Sequence, residues 1–173
     1  MVMDSIAFVP LTRGLFAVVD AADFERLSTH SWTASDSPNA PGVFYAHRGA
    51  SPEERRLYKT TNIKMHRFIM GFPPAMLDHR NGNTLDNRRG NLRLSTPSLN
   101  QANKKKQRGT FGKFKGVDFH KCEGKWRARI TKDKRCFCIG HFLTEEAAAR
   151  AYDAKARELF GEFARLNFPK AFA

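Results

Sequence analysis

Asp78 and His79 stand side by side after the short apolar run 75–77, and a dozen residues rich in Asn, Gly and Asp separate them from the alternation Leu92, Leu94. A carboxylate that can hold a cation, next to an imidazole that can take a proton from water, is a chemically sound core for metal-assisted hydrolysis. Downstream, Thr96 is a favoured N-cap and Pro97 a favoured first helical residue, so a helix is expected to start there and to carry Asn100 and Asn103. An amide oxygen on the first turn of that helix, facing the carboxylate on the strand, would supply hard oxygen donors for Mg²⁺ or a similar ion, with positions left for phosphate oxygens. Cleaving a phosphodiester needs an activated water, neutralised phosphoryl charge and a stabilised leaving oxygen. A neutral His with an ordinary pKa near 6.5 serves as base at neutral pH and contributes about 10² to 10⁴ in rate. Activity resting on His79 is therefore expected to fall below about pH 6.

The elements that must position these groups read as strand, long ordered loop, strand, helix. Upstream, IAFVPL and LFAVVD suggest a β-hairpin, DAADFERLS a short helix, and VFYAH a strand. SPEERR reads as a polar loop before the apolar stretch IKMHRFIMGF. No chemistry is assigned before residue 60. His66 sits on that apolar stretch, where a hydrogen-bonded supporting role is the simpler reading. His66, Arg67 and Asn103 therefore stand behind Asp78, His79, Asn91 and Asn100 as site candidates. Arg67, Arg88, Arg89 and Arg93 are candidates for phosphate contacts, with Asp86 near enough in sequence to pair with some of them.

Over 173 residues, 30 Lys and Arg against 17 Asp and Glu leave a net charge of +13, which points to a polyanionic partner. No window approaches the roughly 18 to 20 apolar residues of a membrane span, and the N-terminus lacks the pattern of a secretory signal. No membrane partner and a cytoplasmic setting are expected. Cys122, Cys136 and Cys138 are an odd number and read as free thiols. The charge is concentrated in residues 101–135, with 13 Lys and Arg against Asp118, Glu123 and Asp133. Lys104, Lys105 and Lys106 run into Arg108, Gly109 and Thr110, a composition shift that places a domain boundary near residue 110.

Beyond that boundary KGVDFHK, KWRARIT and RCFCIGHF alternate with period two. Val117, Phe119, Trp126, Ala128, Ile130, Phe137 and Ile139 fall on one face. Asp118, His120, Arg127, Arg129, Thr131, Cys136 and Cys138 fall on the other, with Lys115 nearby. LTEEAAARAYDAKARELFG follows as an amphipathic helix capped by Thr144 and stopped at Gly161. A three-stranded meander packed on one helix leaves a basic face open, and such a ribbon fits the major groove of DNA. A zinc centre from these cysteines with His120 or His141 is not expected, because a C-x-C pair in a strand turns both thiols outward and C-x₂-C spacing is absent.

The spacing from His79 to Asn91 and on to Asn100, within MHR, DHRNG and LDNRRGNLRL, resembles the HNH endonucleases, and within them the phage and intron-encoded homing branch. The resemblance implies a ββα-metal unit over about residues 75–106 that cleaves DNA with one divalent ion. His79 would be the general base, Asp78 and Asn100 the metal ligands, and Asn91 the residue that ties down the loop and orients His79. Asn100 stands where some relatives have His, which favours Mg²⁺ or Mn²⁺ over softer ions. KGVDFH, GKWRARI, IGHF, TEEAAARAYD and ARLNFP are similar to the plant APETALA and ethylene-response-factor DNA-binding domain over residues 112–169. By that resemblance Lys115, His120, Arg127, Arg129, Thr131 and Arg135 would contact DNA, joined by Lys104, Lys105 and Lys106 of the basic run. Asp118 departs from the basic residue common there, and Cys136 and Cys138 from Arg and Trp.

The expectation is an α+β chain: residues 1–109 a ββα-metal HNH nuclease with a β-rich N-terminal extension, residues 110–173 a three-stranded antiparallel sheet packed on one helix. Its function would be metal-dependent cleavage of double-stranded DNA by a monomer, with nicking the simpler outcome of one active centre, targeted by the C-terminal sheet. Phage or mobile-element origin, with the host cytoplasm as location, follows from resemblance only. The alternatives are a DNA-binding regulator with a silent nuclease centre and a nonspecific RNA binder. The outward faces lack the aromatic pairs that stack unpaired bases, which counts against RNA.

Overall fold

A computed structural model of the chain describes residues 5–37, 40–106 and 112–169. It divides into two compact units, Met1–Ser95 and Thr96–Ala173. The expected boundary at 109/110 lies outside the described residues. The architecture is mixed α and β, with several small antiparallel sheets and few helices. Among the described residues no helix is long and apolar enough to cross a membrane.

The first unit opens with β1 (Ile6–Pro10) and β2 (Phe16–Asp20), an antiparallel hairpin as the apolar runs predict, followed by helix α1 (Ala21–Ser28). Strands β3 (Thr33–Ser37) and β4 (Ala40–Gly49) pair next. SPEERR is not a loop: it begins helix α2 (Pro52–Tyr58), because Ser51 and Glu54 form a reciprocal capping box around Pro52. β5 (Asn62–Lys64) completes the sheet with β4, and the apolar stretch after it folds as α3 (Met65–Ile69). Val9, Ala17, Val19, Leu27, Trp32, Ile63, Met65, Ile69 and Leu92 close into one core. The unit ends in the hairpin of β6 (Met76–His79) and β7 (Leu92–Ser95), in register Asp78 opposite Arg93 and His79 opposite Leu92.

The second unit begins with α4 (Pro97–Asn103), whose N-cap Thr96 accepts from the Leu99 amide. Strands β8 (Val117–His120), β9 (Lys125–Lys132) and β10 (Arg135–Phe142) form an antiparallel meander with β9 central. Helix α5 (Glu145–Phe160) starts at Thr144, whose side chain accepts from the Ala147 amide, and stops at Gly161. Its small residues Ala148 and Ala149 are fully buried with Val117 and Ala128, so helix and sheet approach closely. Gly116 is required there: its φ is +74°, and a Cβ would sit 2.1 Å from the Tyr152 ring. Ala102 of α4 packs with Ile130, Tyr152, Ala156 and Phe160, and its carbonyl accepts from the Arg165 amide. By packing, the helix expected to complete the nuclease motif is part of this second unit.

Candidate active site and nucleic-acid interface

The loop between β6 and β7 is ordered by side-chain amides. Asn91 Oδ1 accepts from the Asn81 amide at 3.0 Å, and its Nδ2 donates to the Asp86 carbonyl at 2.7 Å. The backbone carbonyl of Asn91 accepts from the Arg80 amide at 2.8 Å. Asp86, also buried, accepts from the side chains of Asn81 and Arg88, and the Arg88 hydrogen bond holds its carboxyl below the usual range. These bonds fix the turn that follows His79, where the Gly82 amide donates to the His79 carbonyl at 2.9 Å.

The N-terminal hairpin, in which the sequence marks no chemistry, clamps the same loop. The Val18 amide donates to the Leu85 carbonyl, and the Val18 carbonyl accepts from the Asn87 amide. Arg89 donates through Nε and a terminal nitrogen to Asp23, 2.8 Å each, and its amide donates to Asp20 at 2.8 Å.

His79 is buried, with Nε2 3.3 Å from Asn87 Oδ1. Burial lowers its pKa, partly offset by Asn87, Asp78 and Asp86, so the ring is neutral at pH 7. The His66 ring stands edge-on to it at 5.2 Å, and Tyr45 flanks both. Burial first, and then the charges of His79, Lys64 and Arg67, push the His66 pKa down to about 3. Tyr45 is pushed up by burial and by Asp78. Asp78 is buried against Arg93, whose Nε and terminal nitrogen reach Oδ2 at 3.1 and 2.9 Å. Arg93 is thus a partner of the expected metal ligand. Arg67 is a strut, donating to the Pro73 carbonyl at 2.6 Å and the Ala75 carbonyl at 3.4 Å. Asp78, His79, Asn91, His66 and Arg67 are all in the first unit, whereas Asn100 and Asn103 lie on α4 in the second.

In the second unit the registers Asp118 opposite Arg127 and His120 opposite Lys125 place these residues on one sheet face, with Arg129, Thr131, Cys136, Cys138 and His141. Arg127 and Arg129 both reach the Asp118 carboxylate, at 2.7 and 2.8 Å. Burial raises that carboxyl, but the two guanidinium groups outweigh it and hold it below the usual range. Thr131, Arg135, Lys104 and Lys105 are exposed. Lys115 is engaged internally: its ammonium donates to the carbonyls of Ala102, Lys104 and Gln101, a cation capping the end of α4. Burial, with Arg165 beside it, lowers the Lys115 pKa to about 8, so the ammonium stays charged at neutral pH.

No family model matches the sequence, and no solved structure does. An uncharacterised HNH endonuclease of Acanthamoeba polyphaga mimivirus is 31% identical over 176 residues, covering 96% of this chain and 83% of the viral protein. The chain belongs to the HNH endonuclease family. Protein 3.8 of Escherichia phage T7 is 33% identical over 91 residues, 53% of this chain and 74% of that protein. A shorter stretch has relatives of its own: APETALA2-like protein 2 of Oryza sativa subsp. indica is 46% identical over 61 residues, 34% of this chain but only 14% of the rice protein. This member of the HNH endonuclease family therefore carries a segment similar to a plant APETALA2-like protein.

The residues that sequence reasoning missed are Asp20, Asp23 and Asn87, and the pairing of Arg93 with Asp78. Register offers a signal for the last, since Asp78 and Arg93 are opposed once the hairpin is closed. Nothing local in the sequence marks Asp20 and Asp23 as partners of a residue more than sixty positions away.

Proposed function

We propose that this HNH endonuclease hydrolyses phosphodiester bonds of double-stranded DNA, with His79 as general base and the C-terminal sheet as the targeting surface. The observation that carries the reading is the neutral, buried His79 at the head of a loop staked by Asn91 and clamped by Arg89. A base must be unprotonated and held still to take a proton from water in one geometry, and the lowered pKa of His79 and the hydrogen bonds of its loop support that role. Asn87 is 1% exposed, and its Nδ2 has no hydrogen-bond partner among the described residues, which offers a buried donor to an anionic oxygen.

By the resemblance to HNH endonucleases, Asp78 would hold Mg²⁺ or Mn²⁺ through a carboxylate oxygen and Asn100 through an amide oxygen, hard donors suited to either ion. When bound, the ion would act as a Lewis acid on the phosphate and the leaving oxygen. Arg93 holds the Asp78 carboxylate in place through its guanidinium. Lys104, Lys105, Lys106, Arg127, Arg129, Thr131 and Arg135, with His120, would meet the phosphates and base edges of the duplex.

A second reading, a DNA-binding regulator with a silent centre, draws support from the same Asp78–Arg93 pair, because a guanidinium already answers that carboxylate. Cleavage of supercoiled plasmid with Mg²⁺, with EDTA, and by His79→Ala, beside a gel shift, separates the two. Metal-dependent nicking or linearisation that vanishes in the variant while the shift persists supports the nuclease. Binding without cleavage on every DNA and divalent ion tried overturns it in favour of the regulator. DNA affinity should fall about 10³-fold between roughly 50 and 200 mM salt if about six phosphates are contacted, and a flat response refutes both.

A further inference from the structure

At one end of the C-terminal sheet, at the margin of the basic face, three donors converge that the nuclease centre does not use. His120 ends β8, Glu123 lies in the tight turn to β9, and His141 lies on β10. One nitrogen or oxygen from each falls within 4.8 Å of the others. Both imidazoles turn Nδ1 to the one carboxylate: His141 at 2.9 Å from Oε2, His120 at 3.6 Å from Oε1. The rings stack at 5.2 Å with 21° between their planes. His120 Nδ1 is screened from solvent and makes no hydrogen bond among the described residues. A plain ion-pair cluster does not account for that arrangement, because it leaves a shielded ring nitrogen unsatisfied beside a carboxylate that could serve it.

We propose that His120, Glu123 and His141 form a transition-metal site that clips together the two edge strands of the sheet. Two imidazole nitrogens and a carboxylate oxygen are a donor set for borderline ions such as Zn²⁺, Co²⁺ or Ni²⁺ rather than for Mg²⁺. Metal–ligand bonds of about 2.0 to 2.2 Å put tetrahedral donors about 3.3 Å apart, so the observed grouping needs only small side-chain rotations to close. His120 and His141 belong to β8 and β10, which do not pair because β9 lies between them. An ion held by both bridges across the central strand, and it orders the turn carrying Glu123. Arg127, a fixed cation of this face, lies opposite His141, and its charge is answered by Asp118, so it does not oppose an incoming ion with uncompensated charge. The three thiols take no part: Cys122, Cys136 and Cys138 are exposed and lie outside the converging group.

An ion that binds the folded sheet and not the unfolded chain raises the melting temperature as its free concentration rises above its dissociation constant. The test uses the full chain, stripped with chelator, titrated with Zn²⁺ by calorimetry and with Co²⁺ by visible absorption, with melting curves at each ratio. Glu123→Gln and the His120→Ala/His141→Ala pair are compared with wild type. A third protein, Asp78→Asn/His79→Ala, removes donors of the nuclease centre. The expected result is a binding event, with a rise in melting temperature, that weakens by about 10- to 100-fold or disappears in both sheet variants and survives in the Asp78/His79 variant. Equal binding in wild type and both sheet variants overturns the proposal. So does loss in the Asp78/His79 variant alone, or no binding by wild type. Mg²⁺-dependent cleavage enters none of these readouts, so the nuclease reading and this one fail separately.

Discussion

Asp78 and Asp118 each lie on a β-strand opposite an arginine of the neighbouring strand, Arg93 in the first unit and Arg127 in the second, and there the likeness stops. The side chains of Asp78 and Arg93 are 7% and 5% exposed. Asp118 is 26% exposed and shared between Arg127 and Arg129, at 25% and 46%. Removing one partner of the buried pair strands a charge in a medium that cannot solvate it, whereas water reaches the half-buried pair when it parts. The first geometry suits a centre that must hold one arrangement. The second would suit the proposed DNA contact, in which the arginines exchange one anion for another, a carboxylate for a phosphate.

The largest effect expected on the rigid side is chemical. His79→Ala should lower kcat by about 10² to 10⁴ with DNA affinity unchanged, as plasmid cleavage beside a gel shift will read. A comparable loss of binding would move His79 from the chemistry to the interface. Next comes the buried pair itself. Arg93→Leu takes from the buried Asp78 carboxylate its guanidinium and should destabilise the first unit by about 3 to 5 kcal/mol in urea unfolding. Because Trp32 lies in the first unit and Trp126 in the second, fluorescence of a Trp126→Phe protein reports the first unit alone. A cost under about 1 kcal/mol would show that the pair behaves as a surface contact.

The same fluorescence reads a pH dependence. His66 titrates at about 3 and His79 below its usual value, so the unfolded chain takes up their protons first as pH falls. Stability from this histidine pair is complete above about pH 6.5 and is lost below it, at up to about 1.4 kcal/mol per pH unit for each ring. His66→Phe should flatten the curve between about pH 6.5 and 4, and an unchanged slope would assign the acid sensitivity elsewhere. The pH at which cleavage fails should likewise lie below about 6.5, in line with the lowered pKa of His79.

What is legible in the sequence is local. The strands bearing Asp78 and Leu92, the helix start at Thr96 and Pro97, the sheet face carrying Arg127 and Arg129, and the helix from Thr144 to Gly161 follow from periodicity and capping chemistry within a few residues. Helix α2 is legible too, since Ser51 and Glu54 stand at capping-box spacing, but the charge of SPEERR masks it. What stays hidden depends on contacts between distant segments. Asp20 and Asp23 become clamps for Arg89 only when the N-terminal hairpin folds against the loop, and Lys115 turns inward only because α4 ends beside it. Phe137 is expected on the apolar face but is 47% exposed, on a strand whose register shifts between Cys138 and Gly140. Convergence of His120, Glu123 and His141 requires knowing that β8 and β10 flank β9.

The smallest effect tests the exchangeable side. Asp118→Asn removes the anion that Arg127 and Arg129 share and keeps the side chain's size. Stability should change by no more than about 1 kcal/mol, because both guanidinium groups can turn to water. DNA affinity should instead rise severalfold, since phosphate no longer competes with a carboxylate for the same donors. The plot of log affinity against log salt should steepen by about 0.9 for each additional phosphate that the freed arginines neutralise. Arg127→Ala with Arg129→Ala should act oppositely, weakening binding and flattening the slope. If Asp118→Asn bound DNA no better than wild type, the carboxylate would be a fixed strut that aims the arginines, and the half-buried pair would belong with the buried one.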